Sequence, residues 1–490
     1  MKNKLFLLLI VSWVFMSCDE LIDVTPKGKY TTDNYFVDDQ SLIDAVTGVY
    51  AQLLQNEFLG LTYPKWDICS DDLYRSGDHA FDAAIETFTF DAANTQIAWT
   101  WSRTYELAAR ANNILVFAKD KTTFSPDILK RSIGEVYFLR AFTYWALYLP
   151  FGEIPLIIEE DVLNKNYNKP KSTVPEVLAQ IEKDLKASLE YLNPTETDGR
   201  VHQGAAYAYL TQLYMHWSCI AGLSDAERNA KLNAAIEYGE KITGNTLYKL
   251  TDTYLENFRQ VTTGTSELLF YMPSNQWRNN MWLNYFNNRS LGGWGFWQPL
   301  KGLYDSYNPN DIRKSCTLLK EGVDLMTASG SDAVFDKPTV TGYQFCKYLK
   351  LKDGLKDDNL IIPLMRSADI YLLVAEAKIR LNGNGAGDAE INAVRKRTGL
   401  PDISNAGKDE LMLERRHELA GEVRRHFDMV RWDKIGWVDL ETLYSLDISM
   451  FEVDKGIRKF TRPRNYYFPL PQGEIDKSKG VLIQNSEYTH

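Results

Sequence analysis

Apolar side chains recur every three to four residues along most of the chain, the period of a helix with one buried face. Residues 40–55 place Leu42, Val46, Val49 and Leu53 on such a face, and 95–118 do the same with Ile97, Trp101, Tyr105, Ala108 and Leu115. A long aromatic-rich helix is expected over 128–149, stopping at Pro150 because proline lacks the N–H a helix needs. The next is expected over 173–192, with Thr173 as N-cap ahead of Pro175 and Glu176. Residues 203–219 and 225–242 continue the pattern. In the first of these, small and bulky residues alternate from Ala205 to Leu210, which lets neighbouring helices approach closely and interlock. Successive antiparallel pairs of this size suggest a tetratricopeptide-like array, although the repeats are too degenerate to establish it by self-similarity.

Between about 244 and 365 the period fades, glycine, asparagine and aromatics rise, and short β-like runs appear at 267–272 and 343–350. Helices are expected again at 366–381, 386–397 and 408–433, the first two separated by Gly383, Gly385 and Gly387. The expected fold is therefore mainly α: helical scaffold over about 38–243 and 366–490, with a long irregular insertion over 244–365 containing short β segments, all in one domain.

The insertion holds the strongest functional signal. Four of the twelve tryptophans fall between 270 and 307, as Trp277, Trp282, Trp294 and Trp297, beside Tyr285, Phe286 and Phe296. Asn275, Gln276, Asn279, Asn280, Asn284, Asn287, Asn288 and Gln298 are interleaved. In SLGGWGFWQP (290–299), glycines and a proline argue for a loop, and loops run over surfaces. Flat rings beside neutral amides suit a carbohydrate, whose C–H face stacks on a ring while its hydroxyls bond amides in both directions. One stacked sugar face of about 100 Å² is worth roughly 2.5 kcal/mol. The candidate ligand-binding residues here are Trp282, Tyr285, Trp294, Phe296 and Trp297. The structural alternative is that the rings anchor the insertion, since tryptophan is usually well buried. A second candidate patch, WDICSDDLYRSGD (66–78), offers Trp66 as platform, Asp72 as acceptor and Arg75 as donor fork. Asn94 and Gln96 could cap the helix beginning near 97 or face a cleft.

The first residues change where such a site would work. Lys2 and Lys4 precede LFLLLIVSWVFM (5–16), then Ser17 and Cys18, the layout of a secretory signal over residues 1–17. The apolar run is short of the roughly 20 residues that span a bilayer. Cys18 after a small residue suggests cleavage before it and lipid on its thiol, though Phe15 stands where such signals usually have leucine. Several acyl chains would hold the protein stably on a membrane. Without the signal the chain has 53 basic and 65 acidic residues, a formal charge of −12, which excludes nucleic acid as a natural partner. Cys69, Cys219, Cys316 and Cys346 are widely spaced, read as free thiols, and show no zinc pattern.

Catalytic signatures are missing: no G-x-S-x-G, H-E-x-x-H, P-loop or EF-hand loop occurs, and the six histidines are scattered. No cofactor or metal is expected. A glycoside hydrolase needs two carboxylates about 5–10 Å apart across a cleft, and Asp71, Asp72 and Glu153 carry no spacing that implies it. ERRHELAGEVRRHFDMVRW (414–432) mixes both charge signs and reads as an ion-pair-laced helix, partly buried against its neighbours.

Several motifs together resemble one family. Thr32–Asp33–Asn34–Tyr35–Phe36 follows the signal; YLPFGEIPLI (148–157), RSADIYLLVAEAKIR (366–380), INAVRKRTGLP (391–401), the charged stretch at 414–432 and RPRNYYFPLPQGEI (462–475) follow in order, then Gln484–Asn485. From near Cys18 to Asn485 the chain is similar to the SusD/RagB family of outer-membrane lipoproteins of Bacteroidetes. The resemblance implies a helical fold with tetratricopeptide-like pairs and a variable insertion. It also implies a non-enzymatic, surface-exposed, lipid-anchored protein that captures oligosaccharides for a SusC-like TonB-dependent transporter; Asp19 and Glu20 are compatible with surface export. The RagB branch implies peptide or glycoconjugate capture instead. The matching motifs are scaffold, so the resemblance transfers no ligand residue. Alternatives of another class are a glycoside hydrolase and a helical scaffold protein.

Overall fold

The computed structural model describes residues 35–53, 63–77, 80–196, 198–259, 264–272, 281–327, 331–357, 359–451 and 456–489. The signal segment 1–17, Cys18, Asp19, Glu20, Thr32–Asn34, His79, Trp277, Asn275, Gln276, Asn279 and Asn280 lie outside them.

Among the described residues twelve α-helices have seven residues or more: α1 (Asp39–Leu53), α2 (Ala80–Thr87), α3 (Thr95–Phe117), α4 (Pro126–Phe151), α5 (Val174–Leu189), α6 (Gln203–Trp217), α7 (Asp225–Thr243), α8 (Ser367–Asn382), α9 (Asp388–Arg395), α10 (Lys408–Leu419), α11 (Arg425–Lys434) and α12 (Gln472–Ser478). The scaffold helices pack in order: α1 on α3 and α4, then α3 on α4, α4 on α5, α5 on α6, α6 on α7 and α7 on α8. The array is mainly α, as the periodicity predicts. α4 lies at its centre and is buried on every side from Ser132 to Phe151, which explains an aromatic composition without a polar face. It runs through Pro150 rather than stopping before it. The expected break fails because a proline in the last turn removes only one hydrogen bond, and burial of Leu149 and Phe151 holds that turn.

Helix starts follow local chemistry. Glu176 accepts bonds from the backbone N and hydroxyl of Thr173, 2.8 Å each, at the start of α5. Asn94 Oδ1 accepts from the N–H groups of Gln96 and Ile97 at 3.0 and 3.3 Å, capping α3. Asn94 is therefore an N-cap rather than a cleft residue.

Between α7 and α8 the chain forms short elements, and among the described residues three two-stranded pairings lie within this stretch while a fourth takes one strand from before α2. Leu268–Met272 pairs antiparallel with Ile362–Arg366, closing the base of this region against α6. Leu73–Arg75, from the first half of the chain, pairs with Trp297–Pro299, so Arg75 lies opposite Trp297. The last residues of SLGGWGFWQP are thus a buried strand, not a surface loop.

The charged stretch 414–432 is two helices, not one. Gly421 and Val423 both take positive φ (75° and 57°) between α10 and α11, which ends a right-handed helix. Its ion pairs run mostly to distant elements. Glu418 meets Arg313, Arg366 and Arg397; Glu422 meets Lys347 and Arg366; Arg415 meets Asp369 and Asp428; Arg431 meets Glu376. Glu267 completes the set against Arg366 and Arg397. Burial opposes charge on Glu418, but its three arginines hold the carboxyl down at about 2. Burial lowers the Lys347 ammonium to about 8, even beside Glu422. This network ties the insertion to the C-terminal helices. Cys69, Cys219, Cys316 and Cys346 are free thiols, all but the half-exposed Cys316 fully buried.

Candidate functional site

The predicted aromatic residues do come together, but mostly inside the protein. Trp297 is 0% exposed and stacks on Tyr285 with ring centroids 4.2 Å apart. Phe286 meets the Trp297 ring edge-on at 5.1 Å, and Trp282, also 0% exposed, stacks along Phe286 at 6.1 Å. Phe296 is buried against Tyr285 at 5.6 Å. Trp282, Tyr285, Phe296 and Trp297 therefore anchor the insertion, which corrects the expectation that they form an exposed platform. The reason is tertiary: strand pairing with Leu73–Arg75 turns Trp297 inward.

Two glycines make this packing possible. A Cβ on Gly77, whose φ is +96°, would lie 2.7 Å from the Phe296 ring. A Cβ on Gly293 would lie 1.8 Å from the Asn287 carbonyl oxygen. Glycine here serves close approach rather than a mobile loop.

The second predicted patch is also interior. Trp66 is 1% exposed and packs on Phe468 at 4.5 Å. Asp72 accepts from Arg416 Nε at 2.8 Å, and its neighbour Asp71 accepts from both Arg425 Nε and Nη2 at 2.8 Å. Burial opposes ionisation of Asp71, but the Arg425 guanidinium holds its carboxyl well below the usual range. Arg75 donates to the Gly77 carbonyl at 2.6 Å and lies over the Phe296 ring at 5.6 Å. Gln96 accepts from buried Lys65, whose ammonium also meets Asp82 at 3.0 Å. Burial lowers the Lys65 pKa, and Asp82 opposes that shift. Trp66, Asp72, Arg75 and Gln96 are thus committed to the interior rather than presented to solvent. Glu153 sits apart from Asp71 and Asp72 in its contacts, paired with Lys171 at 3.0 Å.

What reaches the surface is the shell around this core. Trp294 is half-buried, edge-on to Tyr285 at 5.3 Å and tilted against Phe296 at 5.8 Å. Phe81 is 47% exposed, and its carbonyl accepts from the side chain of the cap residue Asn94 at 3.0 Å. The following residue, Asp82, pairs with Lys65, which in turn donates to Gln96. Trp99 is 43% exposed, one turn along α3 from Gln96. The sequence pattern contained a signal for Trp99. With Ile97, Trp101, Tyr105 and Ala108 on the buried face, position 99 faces the other way. Phe81 had no such signal. Trp294 thus stands on the buried Tyr285 and Phe296, Phe81 on the Asn94 cap, and Trp99 on the outer face of α3.

A separate groove of about 800 Å³ runs along α3 from Trp101 to Asn113. Tyr105, Asn112 and Asn113 line one side, Tyr167, Asn168 and Leu482 the other. Tyr167 is 58% exposed, and Asn168 donates to the Ser478 carbonyl at 3.0 Å.

Two family models match the chain. The model described as "SusD family" matches residues 317–488, and the one described as "Starch-binding associating with outer membrane" matches residues 20–215. The chain belongs to the SusD family. A SusD-like protein from Bacteroides ovatus is 24% identical over 461 residues, covering 88% of this chain and 83% of the relative. A SusD superfamily protein from Bacteroides vulgatus superposes with a TM-score of 0.77 at 22% identity, over 92% of this chain and 100% of that one. Surface glycan-binding protein A from Bacteroides thetaiotaomicron, in complex with laminarihexaose, superposes with a TM-score of 0.74 at 21% identity, over 91% and 99% of the two chains. At these identities the superpositions establish a SusD-like fold. The scaffold motifs that resemble the family are the ones this structure buries: the 414–432 stretch in the ion-pair network, and Phe468 and Leu470 of the terminal motif in the core.

Proposed function

We propose that this SusD-family protein is a lipid-anchored, surface-exposed binding protein of the outer membrane. It captures an oligosaccharide and delivers it to a SusC-like TonB-dependent transporter, without chemistry of its own. Family membership supports the class, and the SusD-like neighbour solved with laminarihexaose supports a glycan as ligand. The observation that carries the site is the half-buried Trp294 ring packed on the buried Tyr285 and Phe296, with the exposed rings of Phe81 and Trp99 as further candidate contacts. A ring packed as Trp294 is loses little freedom when a sugar stacks on it, so more of the stacking energy appears as affinity. Two or three such contacts, less ordering costs, give a Kd of roughly 10 μM to 1 mM. That range suits capture followed by release. Of the residues singled out from sequence, Trp294 is the proposed direct contact, while Trp282, Tyr285, Phe296 and Trp297 hold it in place. Cys18 is the proposed lipid attachment.

The groove along α3 supports a second placement of the same ligand, since Tyr167 with Asn113 and Asn168 repeats the ring-and-amide chemistry. A glycan array with the chain from Asp19 onward tests the reading, followed by titration of any hit against Trp294→Ala, Trp99→Ala and Tyr167→Ala. About tenfold loss from truncating Trp294, the equivalent of about 1.4 kcal/mol, is the expected result. Loss confined to Tyr167→Ala would move the ligand into the groove. Binding of peptides with no glycan bound would overturn the glycan reading in favour of RagB-like capture.

A further inference from the structure

A second cleft, of about 650 Å³, lies on other helices, between the end of α8, the start of α10 and the segment after α11. Its charged lining side chains are Arg228, Arg380, Lys408 and Lys434, and among the described residues none of its lining side chains is acidic. On a chain with ten more acidic than basic residues, such a one-signed pocket runs against the average field.

Two of the four cations, Arg228 and Arg380, cap a helix. Arg228 and Arg380 both donate to Ser218, the C-cap of α6, where the helix leaves carbonyls unsatisfied and its dipole favours positive charge. Arg380 also comes within 3.8 Å of Glu376, but that carboxylate already receives Arg431 on both oxygens. Lys434, in the last turn of α11, is likewise favoured by its helix dipole, whereas Lys408, in the first turn of α10, is not. Among the described residues Lys408 bonds the Trp437 carbonyl, at 3.5 Å, and Lys434 donates to the Tyr467 hydroxyl at 3.0 Å and lies over the Tyr466 and Tyr467 rings at 5.1 and 4.4 Å. Arg228, Lys408 and Lys434 pair with no described carboxylate. Beside them stand the half-buried Trp437 ring and the exposed Asn384 amide.

We propose that this cleft is a second saccharide site, selective for a sugar bearing a carboxylate or sulfate group. Guanidinium and ammonium donors supply charge-assisted bonds to the oxyanion. The Trp437 ring supplies an apolar face for the pyranose, and Asn384 bonds a neutral hydroxyl. The volume falls in the range of sites for small organic ligands and is larger than a lone ion needs. This site is independent of the ring shell around Trp294, so neutral-glycan binding there serves as the internal control.

The test uses the mature full-length chain. Trigalacturonate and a sulfated galacto-oligosaccharide are titrated calorimetrically against neutral laminarihexaose, at low and high salt, with the tryptophan fluorescence change that is lost in Trp437→Ala as a second readout. The variants are Arg228→Glu/Lys408→Glu, Trp437→Ala and Trp294→Ala, each checked by thermal melting. The expected result is salt-sensitive binding of a charged saccharide, weakened at least about tenfold by the double charge reversal. The same reversal leaves binding of any neutral glycan unchanged, and Trp294→Ala leaves the charged saccharide bound. The proposal is overturned if no charged saccharide binds, if the double variant binds it as tightly as the parent, or if Trp294→Ala abolishes it. Association only with vesicles of anionic phospholipid would also overturn it, in favour of a membrane contact.

Discussion

Trp294 and Trp297 are three residues apart in one glycine-rich stretch, yet they should behave oppositely when truncated. Trp297 is 0% exposed, stacked on Tyr285 and edge-on to Phe286. Trp297→Ala removes roughly 200 Å² of buried ring, about 5 kcal/mol of transfer free energy. Partial collapse of the cavity brings the expected loss to about 3–5 kcal/mol. Trp294 is half-buried with one side in solvent, so Trp294→Ala should cost only about 1 kcal/mol. For a chain of this length the unfolding entropy is about 1 kcal/mol/K. The melting temperature should therefore fall by about 3–5 °C for Trp297→Ala and by about 1 °C for Trp294→Ala. Differential scanning calorimetry and urea titration would measure both. A Trp297→Ala protein that melts with the parent, or a Trp294→Ala protein that falls as far as Trp297→Ala, would refute the assignment of one ring to the core and the other to the surface.

Two further predictions concern the buried charges. Arg366→Met leaves Glu267, Glu418 and Glu422 without their shared guanidinium; the expected loss in urea unfolding is about 3–5 kcal/mol, and a loss under about 1 kcal/mol would show that Arg397 and Lys347 suffice. His426 is enclosed by Phe88, Phe427 and Tyr444, and burial lowers its pKa from 6.5 to about 3. The unfolded chain therefore takes up this proton below about pH 6.5 and the folded chain only below about 3, so stability falls as pH drops across that window. His426→Leu should flatten the dependence there by about 1.4 kcal/mol per pH unit, and an unchanged slope would refute the buried neutral imidazole.

Helix placement was largely legible from periodicity because a buried face must recur at the helical period whatever it packs against. The exceptions mark where that logic ends. α4 passes through Pro150 because the core around Leu149 and Phe151 outweighs one lost hydrogen bond. The 414–432 stretch breaks at Gly421 and Val423, where a mixed-charge pattern looked continuous. Its carboxylates and guanidiniums find partners such as Arg313, Arg397 and Glu376, which no local spacing announces.

The candidate site shows the same division. Composition located the aromatic and amide cluster, and helical phase on α3 contained the outward position of Trp99. Which face of each ring meets solvent depended on the pairing of Trp297–Pro299 with Leu73–Arg75, more than two hundred residues apart in the chain. By itself, then, the amino-acid order determined the helical class, the element boundaries near caps, the acidic balance and the family resemblance, because these follow from local propensity and recurring pattern. Only the tertiary structure decided which tryptophans are core, which rings face outward, and that four cations meet in one cleft. Burial and charge compensation are set by neighbours distant in the chain, and no local pattern encodes them.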